Sequence, residues 1–428
     1  MRKRPNILQI TTHDSGRHFG CYRHPTVDTP HIDRLAEEGA RFKNCFTMVP
    51  ICSPSRACQM TGLYPQRHGM LDLTGFGWKL NPEARHASQL FREAGYESVL
   101  FGLQHEVLPD ELSRLEFDLA KPGRGRVAAE VAGDFADWLK RRPADARPFH
   151  AQVGFFETHT PFAFGGAEPD ESRGVAVPGY LAENESSKAM MAAFQGAVRQ
   201  ADAGVGVLLE ALRESGVEEE TIVVFTTDHG IEAPRSKWFL YDPGIEIALI
   251  LRYPGGQVAG GRTVEALMSN VDLLPTLMAL AGVEPPTGLD GRSFAALAKG
   301  ELAEPPREAV FGLYHKTQTR SVRTRRFKWI RHFDFSTDFA EVPVRTEAVM
   351  QKRVIPIVEL YDLDADPDEF QNREDDPEYA AVREELDRML WAWMEDVKDP
   401  LLEGPVRTPS YEESLRDYAK WKSGLKPS

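Results

Sequence analysis

Two pairs of aspartate and histidine stand at the ends of apolar, β-branched runs that lie far apart in the sequence. They are His13 with Asp14, and Asp228 with His229. Carboxylate and imidazole groups are common ligands of divalent cations. Sites of α/β proteins lie at the carboxyl ends of parallel strands, so the two pairs predict one shared metal site. Either pair alone could instead be a helix cap or a turn.

A cysteine between these pairs supplies a candidate nucleophile. In the segment 50–62, Pro54 and Ser55 predict a helix that starts just after Cys52. The N–H groups and the dipole at a helix N-terminus stabilise an anion, and Arg56 can point back toward the same place. For an isolated cysteine, a buried structural role is the competing interpretation.

A largely parallel sheet is needed to bring these residues together. Strand-like runs alternate with helical periodicity over the first 305 residues, which predicts an α/β domain with helices on both faces of a mixed, mostly parallel sheet. The predicted strands are 6–12, 98–101, 149–155, 221–227 and 245–251. The predicted helices are 31–38, 86–94, 187–215 and 272–277.

The pattern changes after residue 305, where short alternating runs replace the longer units. The runs are 309–314, 319–322, 327–331 and 358–361, and an amphipathic helix is predicted over 379–394. This predicts a small antiparallel sheet with a helix. We therefore expect a catalytic domain over 1–305 and a C-terminal subdomain over 306–428.

Composition and charge exclude several classes of partner. The 428 residues carry a net charge of −14, which disfavours nucleic acids and anionic membranes as partners. No apolar run reaches membrane-spanning length. The four cysteines form no CxxC pair, so thiols are expected. No signal-peptide pattern follows the basic N-terminus, which predicts a cytoplasmic protein. The oligomeric state is open, and a homo-oligomer is compatible with the sequence.

The segment around Cys52 resembles a known family signature. Cys52, Pro54, Ser55 and Arg56, followed by Thr61-Gly62, resemble the motif of the type I, formylglycine-dependent sulfatases of the alkaline phosphatase superfamily. Further similar segments are 29–39, 237–244, 272–276, 290–293 and 360–372. Segments 52–70 and 360–372 resemble the heparan N-sulfatases (sulfamidases). The resemblance implies the alkaline-phosphatase-like sulfatase fold and oxidation of Cys52 to formylglycine by a separate maturation enzyme.

The resemblance also implies roles for individual residues. It gives one divalent metal ion, whose ligands are His13, Asp14, Asp228, His229 and the residue formed from Cys52. It gives a catalytic set in which Arg56 steadies the formylglycine, His105 lies near the nucleophile, and His159 and Lys237 contact the sulfate or the leaving oxygen. For His105 and His159 alone, the competing interpretation is an ordinary core or surface histidine.

This sequence departs from the family pattern at three positions. The family usually has aspartate where His13 stands, asparagine where His229 stands, and lysine where Leu103 stands. The family implies Ca²⁺, whereas two imidazole ligands favour Mn²⁺ or Zn²⁺. The missing lysine removes one cation from the expected anion pocket.

The expected function is hydrolysis of sulfate esters or sulfamates of a small sulfated substrate, either a saccharide or an aryl compound. The alternatives are a phosphodiesterase or phosphonate monoester hydrolase of the same superfamily, and a non-catalytic protein that binds sulfated glycans. Five basic side chains in the predicted C-terminal subdomain could bind acidic sugar groups, although such a run is also typical of a solvated strand face. They are His315, Arg320, Arg323, Arg325 and Arg326.

Overall fold

The computed structural model describes residues 4–123, 125–143, 145–301, 305–334 and 357–423. A large sheet has the strand order β4-β3-β5-β1-β6-β7-β2-β8. Its strands are β1 (Asn6–Thr12), β2 (Ala40–Phe46), β3 (Glu97–Gly102), β4 (Leu119–Pro122), β5 (Phe149–Gly154), β6 (Thr221–Thr227), β7 (Glu246–Arg252) and β8 (Arg262–Ser269). β7 is antiparallel to both neighbours, and the other pairs are parallel. The predicted mixed, mostly parallel sheet is confirmed.

Helices cover the two faces of this sheet. The helices before the small sheet are α1 (Pro30–Glu38), α2 (Cys52–Thr61), α3 (Pro65–His68), α4 (Ala87–Glu93), α5 (Ala128–Lys140), α6 (Glu185–Glu214), α7 (Asp242–Ile245), α8 (Leu273–Leu280) and α9 (Ala295–Ala298). In β6, Val223 and Phe225 join a cluster with α1, α5 and α6. Ile222 and Val224 point the other way, into a cluster with α4 and α8. This alternation is why the strand is apolar throughout.

The strand register brings the carboxyl ends of β1, β5 and β6 to the same level in the sheet. Thr12 at the end of β1 pairs with Thr227 at the end of β6. On the other side of β1, Thr11 pairs with Gly154 at the end of β5. Because these strands are parallel, the segments that follow them leave the sheet at one edge.

A small four-stranded antiparallel sheet follows, with strand order β12-β11-β10-β9. Its elements are β9 (Val310–Tyr314), β10 (Thr319–Arg323), β11 (Phe327–His332), β12 (Val358–Asp362) and the helix α10 (Ala380–Asp396). Leu313, Trp329 and Leu390 from this region share a hydrophobic cluster with Phe46 and Ile51. The small sheet therefore packs against the segment that leads into α2. The domain boundary at 305/306 stays a prediction.

Several elements were missed from the sequence. They are β2, β4, β8, α5, the short helices α3, α7 and α9, and a last helix, α11 (Pro409–Lys422). β2 places lysine, arginine and asparagine among its apolar residues, and its register shifts between Phe42 and Cys45. The apolar side chains of α11, such as Tyr418 and Trp421, are exposed, so no core pattern marks it. No helix within the described ranges is long and apolar enough to cross a membrane.

Two of the five basic candidates for substrate binding lie in buried ion pairs. Arg320 donates from Nε and Nη2 to the two carboxylate oxygens of Asp399, at 2.6 and 2.8 Å. Arg323 donates from Nη2 to Asp242 Oδ2 at 2.8 Å. Because both guanidinium groups are buried and paired, these arginines hold the small sheet to its neighbours. Neither the solvated nor the substrate-binding interpretation holds for them.

The other three basic candidates differ in their surroundings. Arg325 is exposed, and Arg326 pairs with Asp362. His315 is buried, and its ring centroid lies 4.9 Å from that of Trp78. Of the five, only Arg325 and Arg326 carry a charge at the surface, so the run does not form one basic patch.

Replacing Arg320 tests the buried ion pair. We expect Arg320→Met to lower the free energy of unfolding by about 3–5 kcal/mol, because Asp399 is left charged and buried. The matched control is Arg325→Met, whose side chain is 80% exposed; it should change stability by less than about 1 kcal/mol. Urea denaturation followed by fluorescence measures both. Equal effects of the two substitutions would contradict this assignment.

Candidate active site

Four neighbouring strands, in the order β3, β5, β1 and β6, end at one edge of the large sheet. The segments after them carry most of the predicted site residues. These are His105 after β3, His159 after β5, His13 and Asp14 after β1, and Asp228 and His229 after β6. The topology therefore gathers residues that lie more than 200 positions apart.

Backbone hydrogen bonds fix the two central loops to each other. The Asp14 N–H donates to Asp228 Oδ1 at 2.8 Å, and the Gly16 N–H donates to the His229 carbonyl at 2.8 Å. Asp14 has a φ of 50°, in the left-handed region that aspartate tolerates better than most residues. The chain turns sharply there, which brings the Asp14 carboxylate next to His229, just after the end of β6.

The four predicted metal ligands from these loops lie together and are buried. His13 Nδ1 is 2.5 Å from Asp14 Oδ1 and 3.3 Å from Asp228 Oδ2. His229 Nε2 is 3.1 Å from Asp14 Oδ1. On its other side, His229 Nδ1 is 2.9 Å from the Gly230 carbonyl. That contact holds the proton on Nδ1 and leaves the Nε2 lone pair facing the cluster, as in metal-binding histidines.

Cys52 completes this cluster. Its Sγ lies 3.3 Å from His229 Nε2 and 3.9 Å from Asp14 Oδ1, and the side chain is only 2% exposed. The sequence predicted Cys52 just before a helix, but α2 begins at Cys52 itself, after Ile51 in extended conformation. The side chain at residue 52 therefore stands at the helix N-terminus, where partial positive charge collects.

The next turn of α2 attaches the helix to the end of β6. Ser55 Oγ donates to the Asp228 carbonyl at 2.5 Å, and Gln59 Nε2 donates to the Thr227 carbonyl at 2.8 Å. Arg56 Nε donates to Asp228 Oδ2 at 3.0 Å. Arg56 thus contacts a predicted metal ligand as well as lying near Cys52. Ser55 was identified only as a motif residue without this role, and Gln59 was missed; their four-residue spacing on one helix face was the available signal.

Lys237 and His159 form a second group beside the cluster. Lys237 Nζ donates to Asp14 Oδ2 at 2.6 Å and lies 3.5 Å from His159 Nε2. It also donates to Glu232 Oε2 at 3.0 Å, and Thr160 Oγ1 donates to the same oxygen at 2.7 Å. Glu232 and Thr160 were missed, because they become neighbours only where the segments after β5 and β6 meet.

His105 lies beside the His13 end of the cluster. The His105 ring centroid is 6.0 Å from that of His13. The backbone N–H of His105 donates to Glu106 Oε2 at 2.9 Å. Glu106 is buried and accepts from Gln152 Nε2 at 2.9 Å; burial raises the pKa of its carboxyl group, although Arg56 opposes the shift. No sequence signal distinguished Glu106 from an ordinary loop glutamate.

Charge balance explains how two buried carboxylates can stay ionised here. Burial alone would raise the pKa of Asp14, but Lys237 and the two imidazoles outweigh it and hold that pKa well below its usual value. The pKa of Asp228 is lowered against burial by the imidazoles and Arg56. Burial lowers the pKa of His13 to about 4, despite the two aspartates. The site therefore offers ionised carboxylates and a neutral imidazole.

This donor set fits a divalent metal ion. One ligand atom from each of five residues lies within 4.8 Å of the others, and all five are buried. Two carboxylates, two imidazoles and a sulfur or oxygen donor suit a transition metal of intermediate softness. The five are His13, Asp14, Cys52, Asp228 and His229.

Two family models match most of this chain. The sulfatase family model matches residues 5–283, and the model described as N-sulphoglucosamine sulphohydrolase, C-terminal, matches residues 233–396. The chain belongs to the sulfatase family. This sulfatase is 29% identical to human N-sulphoglucosamine sulphohydrolase over 94% of its own length and 93% of the human protein.

Two further proteins show the range of the relatives. An ulvan-active sulfatase of Formosa agariphila is 27% identical, over 93% of this chain and 76% of that protein. The solved structure of a phosphonate monoester hydrolase of Agrobacterium radiobacter has a TM-score of 0.74 at 22% identity, and covers 92% of this chain and 96% of its own. At that identity the second match shows the fold alone.

These findings confirm the predicted family, its fold and the similarity to heparan N-sulfatases. They also confirm the predicted enzyme class, a sulfuric ester hydrolase, over the non-catalytic glycan-binding alternative.

Leu103 stands where the family usually has lysine, so this position carries no charge. Its side chain is buried, and its backbone N–H donates to the Gly154 carbonyl.

Metal removal tests the ligand set. After chelation, adding Mn²⁺, Zn²⁺ or Ca²⁺ should raise the melting temperature of this sulfatase, with about 2.7 kcal/mol of stabilisation at a hundredfold excess over Kd. In Asp228→Asn the metal-dependent increment should disappear, whereas in Asp364→Asn, whose side chain is 75% exposed, it should be retained. Thermal melts and calorimetric titration measure both. An undiminished increment in Asp228→Asn would exclude Asp228 as a ligand.

Proposed function

We propose that this sulfatase cleaves sulfate esters or sulfamates of a saccharide, with a nucleophile derived from Cys52. The observation that carries the proposal is the position of Cys52 Sγ. It stands at the N-terminus of α2, within 3.3 Å of His229 Nε2, and at the same strand-end edge as Lys237 and His159. Nucleophile, metal ligands and leaving-group residues are thus within reach of one small anion.

The thiol itself is a poor nucleophile in this setting. Burial raises the pKa of Cys52 well above its usual value, and Asp14 adds to that effect. A protonated thiol does not attack an ester. This supports the proposal that a maturation enzyme oxidises Cys52 to formylglycine, whose hydrate supplies an attacking hydroxyl group and a second hydroxyl that releases the sulfate.

The metal ion proposed for the aspartate and histidine cluster would supply Lewis-acid chemistry, polarising the sulfuryl oxygens and favouring ionisation of the nucleophile. Its ligands would be His13, Asp14, Asp228, His229 and residue 52. The two imidazoles favour Mn²⁺ or Zn²⁺, and the family favours Ca²⁺.

The remaining residues have roles that follow from their contacts. Lys237 and Arg56 add positive charge where the reacting anion gains negative charge. His159 Nδ1 lies 2.6 Å from the Thr160 carbonyl, so its proton is on Nδ1 and its Nε2 faces Lys237 at 3.5 Å. Lys237 Nζ can therefore donate a proton to the leaving oxygen or nitrogen. The Nε2 lone pair of His159 can take a proton from Lys237 Nζ and deliver it to the same atom. We propose His105 as the base that helps release the sulfate from residue 52.

The proposed substrate class follows from the relatives. Human N-sulphoglucosamine sulphohydrolase and the ulvan-active sulfatase are named for sulfated saccharides, and the match to the former includes its C-terminal region. A saccharide is therefore favoured over a simple aryl sulfate. A sulfamate is favoured by the same match, because the human relative is named for N-sulphoglucosamine.

A second candidate function is phosphodiester or phosphonate monoester hydrolysis. It is favoured by the departures His229 and Leu103, and by the shared fold with a phosphonate monoester hydrolase. A phosphodiester and a sulfate ester both carry one negative charge, so the pocket charge alone does not separate them.

Comparing substrates tests this proposal. With the mature protein, kcat/KM should be higher for 4-nitrophenyl sulfate and N-sulfoglucosamine than for bis(4-nitrophenyl) phosphate. Cys52→Ala should lose at least about a thousandfold in kcat/KM, because the nucleophile is absent. The control Cys21→Ala alters a cysteine outside the cluster. A clear preference for the phosphodiester would establish the second candidate instead.

The role of His159 can be tested by varying the leaving group. In His159→Ala, kcat should fall by about 10²–10⁴-fold for alkyl or sugar sulfates, whose leaving oxygen needs a proton. For 4-nitrophenyl sulfate the loss should be much smaller, because nitrophenolate leaves without protonation. A plot of log kcat against leaving-group pKa should become steeper in the variant. An unchanged slope would show that His159 does not assist the leaving group.

A further inference from the structure

Glu232 joins two segments that meet beside the proposed nucleophile. Its Oε2 accepts hydrogen bonds from Thr160 Oγ1 at 2.7 Å and from Lys237 Nζ at 3.0 Å. Thr160 follows β5, and Lys237 follows β6. The Glu232 side chain is 26% exposed, so it stands between the buried cluster and solvent. It thus fixes the Lys237 side chain directly, and the His159 side chain through Thr160, whose carbonyl lies 2.6 Å from His159 Nδ1.

Lys237 is surrounded by acceptors on three sides. Its Nζ lies 2.6 Å from Asp14 Oδ2, 3.0 Å from Glu232 Oε2 and 3.5 Å from His159 Nε2. By residue type these three acceptors could hold a metal ion, and their ligand atoms lie within 4.8 Å of one another. The Lys237 ammonium group already lies among these three atoms. Lys237 therefore supplies the positive charge at this position, and no metal ion is needed there.

The ionised state of Glu232 follows from the same contacts. Burial alone would raise its pKa, but Lys237 and Thr160 outweigh burial and hold that pKa below its usual value. Glu232 therefore brings a full negative charge to a pocket whose cations are Lys237 and Arg56, together with the divalent metal ion that the aspartate and histidine cluster would hold. Asp14 and Asp228 already cancel two of those positive charges. With Glu232 the pocket retains one net positive charge; without Glu232 it retains two.

We propose that Glu232 is a specificity-determining residue that makes the pocket prefer singly charged sulfuryl groups to doubly charged phosphoryl groups, and that it positions Lys237 and His159. The proposal rests on the proposed function. A sulfate ester or a sulfamate has one negative charge, which matches the single net charge of the pocket. A phosphate monoester has two, and the second is repelled by the Glu232 carboxylate.

Glu232→Gln tests this charge effect with little change of shape. The ratio of kcat/KM for 4-nitrophenyl phosphate to that for 4-nitrophenyl sulfate should rise by about tenfold, as expected for one charge acting across several ångströms in a partly buried site. Glu232→Asp keeps the charge and should retain the wild-type ratio. Glu265→Gln, which removes an exposed carboxylate near Lys43 and Arg325, is the matched control and should also leave the ratio unchanged.

Binding supplies a second measurement that needs no turnover. Benzenesulfonate and phenylphosphonate have the same shape, and at mildly alkaline pH they carry one and two negative charges. In calorimetric titrations, Glu232→Gln should improve the affinity for phenylphosphonate relative to benzenesulfonate by a similar factor. Equal changes for both ligands, together with equal losses of kcat/KM for both esters, would overturn the proposal and leave Glu232 a structural residue.

The proposed function can fail without affecting this test. If the protein hydrolyses phosphodiesters but not sulfates, the singly charged bis(4-nitrophenyl) phosphate replaces the sulfate in the ratio. A rise in the relative rate for the doubly charged monoester in Glu232→Gln would still support the charge role. An unchanged ratio would overturn it.

Discussion

Two ionised aspartates with no exposed surface are the constraint on which the rest of this site depends. Asp14 and Asp228 lie at adjacent strand ends, and the Asp14 N–H donates to the Asp228 carboxylate. A buried charge of this kind is stable only when cations and hydrogen-bond donors surround it. Lys237 and Arg56 meet part of that requirement, at 2.6 and 3.0 Å. A divalent metal ion would supply the remaining positive charge. The same two carboxylates would then be both the groups that the fold must stabilise and the ligands that hold the metal.

The small C-terminal sheet contributes to the same site by fixing the loop that carries Lys237. The Arg235 guanidinium lies between the rings of Tyr241 and Phe370, 4.0 and 4.6 Å from their centroids, and donates to the Glu369 carbonyl at 2.6 Å. Lys328 on β11 lies 2.7 Å from Glu369 Oε1. Contacts between the loop after β6 and the segment after β12 therefore hold the position of Lys237, two residues after Arg235.

Much of this arrangement could be predicted from the sequence, for identifiable reasons. The strands before Asp14 and Asp228 are apolar throughout because both faces are covered, and such runs are easy to detect. The sequence predicts a helix start at Pro54, because proline is favoured in the first helical positions, whereas α2 begins two residues earlier, at Cys52. Glu232 could not be predicted, because its partners Thr160 and Lys237 become neighbours only through the sheet order. The buried pairing of Arg320 was also hidden, since Asp399 lies 79 residues away.

The central claim is that the nucleophile is made from Cys52. The most direct measurement compares sulfatase activity with the fraction of molecules that carry an aldehyde at residue 52. Protein produced with graded amounts of a formylglycine-generating enzyme would be labelled with a hydrazide probe, and kcat measured on the same samples. Activity should rise in proportion to the labelled fraction and extrapolate to zero without label. Full activity in a preparation with no aldehyde would contradict the account.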